Sequence, residues 1–486
     1  MSIDFLEQEL QRGVFDVLAE HGWTNTWSPV PVGKQEQAAI VTASREGTSH
    51  RFVYIRGTAI GNEYFKSLDA LSAEFILAGS IYHVDEYARG VVTEIIADER
   101  LIERLFGWNA GLPPFVATPD TSMPAAAPSA RPLRVRGEQP IQQIWGRLGQ
   151  LTSVQLSRAT LATRWSCDVS AVDGESAEAL SYLIRNARDY YRASATQSTT
   201  QRALSLYYGS VAFVQAEMLA HPKGPRSVED IERATKVGAH GLMVEDLDEA
   251  NIGPETLAIA PMKGGLWGRW AELLGCDRST FHEGRPKKGP LPQPYATLEG
   301  LFGRIPEIGD LFQEVSNKPP GFAQVVGKSG KNFRLDGIGS YIEFFDESRR
   351  IAPEAFAEMC PAISQVRLHQ DDVPPRVRAY VSHPGKSYAW DVLKVHRSGH
   401  KQVMIAPLWG QVQEHRAICV ITLYALSIMV RYRPWLWRQI LEGHLDQYRN
   451  MVEAFLDVAE RVLPESFLGS IRDQDIYVTQ PGSLFD

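Results

Sequence analysis

Two stretches of the chain constrain the fold more than any others: AEALSYLIRNARDYYRAS, Ala177 to Ser194, and QRALSLYYGSVAFVQAEMLA, Gln201 to Ala220. Each carries an apolar stripe at helical spacing. Leu180, Leu183, Ile184, Ala187 and Tyr191 share one face of the first. Leu204, Tyr207, Tyr208, Val211 and Met218 line the second. The turn between them is short and polar, so the two helices should pair antiparallel.

At 486 residues the chain exceeds what one core usually serves, so two or three domains are expected. Residues 1–112 read as a small α+β domain. An amphipathic helix (Phe5, Leu6, Leu10, Val14, Val17, Leu18) precedes two strand-like runs, QAAIVTAS and HRFVYIRGTA. Further helices are expected over Asp69–Gly79 and Ala88–Trp108. Residues 113–140 hold six prolines from Pro113 to Pro132 and end on Pro140. Such density blocks helix and central strand alike and predicts an extended tether.

Residues 141–486 form the main body. The aromatic helices and the segment after them span 177–245. A further helix, SVEDIERATKV, has Ser227 as N-cap and Asp230 at N3. A strand-rich segment follows over 321–408, and helices close the chain over 414–463, broken at Pro434. The expected class is α+β, mainly helical.

Composition excludes several functions. The net charge of −8 argues against coating by nucleic acid through bulk charge, although a local basic groove stays open. The four cysteines, Cys167, Cys276, Cys360 and Cys419, are far apart and form no CxxC pair. Neither a zinc module nor a disulfide framework is indicated, and a reducing cytoplasm fits. The run AICVITLYALSIMV, Ala417–Val430, falls short of a membrane span and reads as a buried helix. There is no Walker A loop, no Gly-x-Gly-x-x-Gly after a strand, no His-Glu-x-x-His and no Gly-x-Ser-x-Gly. His396, His400 and His415 have spacings that suit no standard metal site, so no metal or other cofactor is expected.

The strings IRNARDYYRAS, RALSLYYGSVAFVQAEML, AHGLMVED and ALSIMVRYRPWLW, in that order, resemble the YaaC-like proteins of bacteria over roughly Leu151 to Leu468. The helix pair is also similar to the HEPN superfamily, whose members include ribonuclease toxins and phage-defence effectors. That likeness implies an Arg-x4–6-His motif completed across a homodimer. Arg233 and His240 have six residues between them, although Gly238 intervenes and Ala234 replaces the motif's polar residue. In such a site His240 would take the 2′-OH proton, Arg233 would stabilise the phosphorane, and Lys236 would touch phosphate. The alternative is a solvated Arg233 and a packed His240.

A second constellation holds Arg431, Tyr432, Arg433, Trp435, Trp437 and Arg438. Arginines interleaved with aromatics suit stacking on bases and contact with phosphate. The alternative is cations at a helix C-terminus beside core tryptophans. Arg285, Lys287 and Lys288 read as a solvated basic loop. The opening helix and hairpin are similar to restriction-endonuclease-like nucleases, but the two strands lack the acids that would hold magnesium.

The expectation is a bacterial defence or toxin-type effector acting on RNA or nucleotides. The alternative is a non-enzymatic binding protein whose partner is a nucleotide, a nucleic acid or a protein from the same operon. Neither reading involves a membrane.

Overall fold

The computed structural model describes residues 6–7, 10–32, 36–56, 62–79, 89–97, 100–110, 112, 133–136, 140–235, 240–285, 291–326, 339–345, 357, 360–369, 376–383, 392–398 and 401–479. The chain divides into two compact units, Met1–Ala127 and Pro128–Asp486.

The first unit is built on a five-stranded sheet. The N-terminal helical segment ends in α1 (Asp16–Glu20). Strands β1 (Thr24–Val32), β2 (Glu36–Arg45) and β3 (Thr48–Arg56) pair antiparallel in sequence order. Helix α2 (Asn62–Asp69) then crosses to β4 (Phe75–Gly79), which lies parallel to β3. Strand β5 (Glu94–Ala97) adds in parallel, and α3 (Leu101–Asn109) follows.

Side chains alternate across this sheet with the period of two that strands impose. Phe52, Tyr54, Phe75 and Leu77 meet Leu6, Leu10, Val14 and Leu18 on one face. Val53, Ile55, Ile76 and Ala78 meet Phe65 and Leu68 of α2 on the other. Two sequence expectations fail here. Asp69–Gly79 is not one helix, and Ala88–Trp108 holds a strand before its helix. A parallel strand covered on both faces reads as an unbroken apolar run, and FILAG, buried throughout, has no period by which to tell it from a helix.

In the second unit β6 (Leu133–Arg136) lies inside the expected tether and pairs parallel with the final strand β16 (Ile476–Thr479). Helices α4 (Pro140–Gln150), α5 (Val154–Trp165), α6 (Gly174–Ser194) and α7 (Thr199–Ala220) come next. The aromatic pair is α6 and α7, which pack together closely. Asp173 caps α6 by accepting the Ser176 N–H at 2.6 Å, and Ser198 caps α7. The α7 helix is buried on most sides, because the late helices also pack against it.

Helix α8 (Val228–Thr235) starts where expected, with the Asp230 N–H bonded to Ser227 Oγ at 3.1 Å. Strands β7 (Leu242–Asp246), β8 (Leu257–Pro261) and β9 (Ala296–Thr297) form a small antiparallel sheet, with α9 (Gly265–Leu273) between the last two. Helix α10 (Leu298–Phe302), a 3-10 turn (Pro306–Ile308) and α11 (Gly309–Ser316) lead to the strand-rich segment.

That segment is one antiparallel sheet of β10 (Phe322–Val326), β11 (Gly339–Phe345), β12 (Ile363–His369), β13 (Arg376–Ser382), β14 (Val395–Ser398) and β15 (Lys401–Ile405), in the order 12-13-11-10-15-14. Met404 faces the sheet's own core, whereas Val403 and Ile405 face the helical core, so β15 joins the two.

Helices α12 (His415–Tyr432), α13 (Pro434–Glu442) and α14 (Arg449–Arg472) complete the body. The apolar run in α12 is buried, as expected of a core helix. Among the described residues no single helix is long and apolar enough to cross a membrane; α12 and α13 reach that length only together, across a 108° bend.

Candidate functional site

Arg233 and His240 have separate partners within the chain. Arg233 lies on α8 with its guanidinium in solvent, and its Nη1 lies 3.1 Å from the Asp230 carboxylate one turn earlier. Lys236 lies outside the described residues. His240 sits beyond the helix, in the turn that enters β7. Its carbonyl accepts the Trp267 N–H at 3.0 Å. Gly241 follows with φ of +73°, and a Cβ there would lie 2.7 Å from the Gly264 carbonyl oxygen and 2.8 Å from the Trp267 nitrogen. The backbone therefore sets where His240 can be.

The His240 ring packs against Tyr207 of α7 and Tyr424 of α12, with centroids 5.6 Å and 5.5 Å away. Its Nδ1 lies 2.6 Å from the Tyr207 hydroxyl. Burial pushes the Tyr207 phenol up, so it keeps its proton while its hydroxyl bonds to Nδ1. Burial, and then the Arg431 guanidinium, hold His240 below the usual histidine range. The imidazole is neutral at pH 7, and one of its ring nitrogens is engaged by Tyr207.

Beside it lies a small cavity lined by Tyr207, His240, Leu266, Trp267, Trp270 and Tyr424. The Trp267 Nε1 donor is buried and has no acceptor among the described residues.

Arg431 links this pocket to the surface. Its Nε and Nη2 donate to the Ser427 carbonyl and Oγ at 3.2 Å and 3.3 Å, and its Nη1 donates to the Tyr208 hydroxyl at 3.1 Å. The guanidinium carbon stands 5.8 Å from the Tyr208 ring centre and 5.1 Å from that of Tyr432. Tyr190 of α6 stacks on Tyr208 at 5.9 Å and 29°. Tyr190 is 42% exposed and Tyr432 69%. Of the five N–H donors on a guanidinium, these bonds use three and leave two.

Arg431 has no carboxylate partner among the described residues. Its neighbours do. Arg433 is paired with Asp246 of β7, and Arg438 with Glu442. The expected ligand set therefore thins. Arg433 is committed to a structural ion pair. Trp437 is core, 2% exposed, with Nε1 donating to Thr200 Oγ1 at 2.8 Å. Trp435 is 72% exposed. The two tryptophans cannot act as one platform, because positions two apart on a helix face different directions.

Tyr190 and Tyr208 were missed as site residues. Their sequence signal was the doubled tyrosine at 190–191 and again at 207–208, which puts one ring of each pair inward and the next toward the rim. In the basic loop Arg285 lies 3.7 Å from Glu245; Lys287 and Lys288 are outside the described residues. Of the late histidines, His400 also lies outside them, but His396 and His415 stack ring on ring across the carboxylate of Glu307. These three groups could hold a metal ion.

A family model described as YaaC-like Protein matches residues 150–471. This stretch, about two thirds of the chain, runs from the end of α4 to the end of α14 and leaves the first unit outside. No curated protein and no solved structure matches the chain.

Proposed function

The chain belongs to the YaaC-like family, and from that premise we propose that its helical body binds a ligand made of nucleobase and phosphate, a nucleotide or a single-stranded RNA segment, on the surface formed by Tyr190, Tyr208, Arg431 and Tyr432. The observation that carries this reading is Arg431. Three hydrogen bonds fix its orientation, tyrosine rings flank it, two N–H donors remain, and no described acid neutralises it. A bound phosphate would supply the missing negative charge. A base would stack on the exposed faces of Tyr190 or Tyr432, a contact worth about 1–3 kcal/mol per base. Exposed Trp435, three residues past Tyr432, adds a further aromatic face.

The proposal stops at binding. Arg233 has its contact with Asp230 and His240 Nδ1 its contact with Tyr207, whereas Arg431 keeps free donors, which favours the binding reading over a HEPN-type ribonuclease.

The test is fluorescence anisotropy with a labelled single-stranded RNA at low salt, with nucleoside triphosphate as competitor. Tyr190→Ala should weaken binding by roughly 5- to 150-fold, the range that loss of one stacking contact implies. Arg431→Gln should weaken it at least as much and flatten the salt dependence. Absence of binding by either probe, or equal affinity of both variants and the parent protein, would remove this surface from the function.

A further inference from the structure

A second cluster lies apart from the tyrosine surface, and nothing in the nucleotide reading uses it. Glu307 comes from the 3-10 turn before α11, His396 from the edge strand β14, and His415 from the first turn of α12. The Glu307 and His415 side chains are 7% and 3% exposed and that of His396 is 15% exposed. Glu307 Oε1 is 3.1 Å from His396 Nε2, and Oε2 is 3.1 Å from His415 Nε2. The imidazoles lie nearly parallel, with centroids 3.9 Å apart and planes at 14°.

Two explanations compete. In the first, the cluster is a buried ion pair. That requires an N–H aimed at each carboxylate oxygen. His396 satisfies Oε1 in this way. The Oε2 atom, however, is buried, and the His415 nitrogen 3.1 Å away is not aligned for a well-directed hydrogen bond. The two groups are close but not directed at each other. A buried carboxylate oxygen without a well-directed hydrogen bond is costly.

In the second explanation, the three groups hold a third partner, for which the parallel rings must splay, since each lone pair lies in its ring plane. Ligand atoms around a tetrahedral ion at about 2.0 Å stand roughly 3.3 Å from one another. The two nitrogen–oxygen separations of 3.1 Å, one to each carboxylate oxygen, are close to that edge. One ligand atom from each residue lies within 4.8 Å of the others. Both imidazoles then bind as neutral bases, and the ion's charge offsets the buried carboxylate. Two imidazole nitrogens with one carboxylate is a donor set typical of zinc. Cys419, one turn beyond His415, places its Sγ 3.8 Å from that ring and adds a soft, buried neighbour.

We infer that Glu307, His396 and His415 form a binding site for a divalent d-block ion, zinc in the first instance, that fastens the edge strand of the six-stranded sheet to the helical body. Its ligands come from three elements spread over 108 positions of sequence, so the ion would act as a long-range cross-link between the strand-rich segment and α12. Among the described residues β14 pairs on one side only, with β15, and the metal would secure it where backbone pairing does not.

The test uses the full-length chain, purified without a chelating tag, loaded with excess Zn²⁺ and desalted. Metal content by plasma mass spectrometry should be one equivalent per chain. Glu307→Gln and His396→Ala should each lower affinity at least tenfold, with unchanged helical ellipticity as the check on folding. His444→Ala, at an exposed histidine elsewhere, should retain the full equivalent. Cobalt(II) added to the metal-free parent protein should give the intense visible bands of a tetrahedral site, a readout independent of any variant. No retained zinc and no cobalt bands in the parent protein would overturn the proposal. So would stoichiometric binding that survives both ligand substitutions.

Discussion

Replacing Arg416 with methionine should destabilise the helical body severely, and replacing its partner as well should restore most of the loss. Glu217 of α7 is buried, and its carboxylate accepts two bonds from Arg416 of α12: Nη2 at 2.8 Å to Oε1 and Nε at 3.2 Å to Oε2. Trp270 of α9 adds its Nε1–H at 3.1 Å. At an effective dielectric constant near 20, unit charges 2.8 Å apart attract with roughly 6 kcal/mol. Most of that is offset by the cost of removing both charges from water, so the intact pair contributes little net stability. Removing one partner is different. Arg416→Met leaves a buried carboxylate with only the indole N–H, and the expected loss is about 3–5 kcal/mol. Glu217→Met with Arg416→Met removes both charges and fills their space, and should fall within about 1–2 kcal/mol of the parent protein. Denaturant unfolding followed by far-ultraviolet ellipticity measures both, since nearly all the long helices belong to this unit. A single-variant loss below about 1 kcal/mol, or a double variant no better than the single, would refute the buried-charge reasoning.

Two further outcomes follow from the helix pair. At Gly209 of α7 an added Cβ would lie 2.7 Å and 2.9 Å from ring carbons of Tyr191 and 3.0 Å from the Tyr190 Cβ. Gly209→Ala should therefore destabilise by about 1–3 kcal/mol in denaturant titration, despite the better helix propensity of alanine; it should also weaken RNA binding by shifting Tyr190. Asp173→Ala at the N-cap of α6 should cost about 1 kcal/mol by the same measurement. The bond from the Ser176 N–H outweighs burial and holds Asp173 below the ordinary carboxylate value of 3.8. A lowered carboxylate stabilises the native state above that value, and the contribution disappears as pH falls through the native value. The difference between parent and variant should thus be full at pH 7 and vanish in acid.

Much of the scaffold could be read from residue order. The periodic stripes of the aromatic helices, the Ser227 cap and the QAAIVTAS–HRFVYIRGTA hairpin all rest on interactions between near neighbours, and all stand in the structure. FILAG escaped because a strand buried on both faces carries no period. The pairing of Arg233 with Asp230 was available in principle, since an acid three residues before an arginine on a helix is a local pattern. The contact of the late histidines with Glu307 was not legible for a different reason. Spacing within one segment does not reach the third member, Glu307, which stands 89 positions before His396.

Order along the chain determines what each residue can reach within a turn or two: periodicity, caps, tight turns and the composition that rules out whole classes of chemistry. It does not determine which charges are neutralised. Arg431 and Arg433 are two residues apart, yet Arg433 meets Asp246 from a distant strand while Arg431, among the described residues, meets tyrosines and a serine. That difference is a matter of packing, because an ion pair and its desolvation depend on what a folded neighbour brings within a few ångströms. The same holds for the Glu307 carboxylate between two imidazoles: three helical and strand termini, remote in sequence, converge there because the sheet edge and the helical core share one boundary.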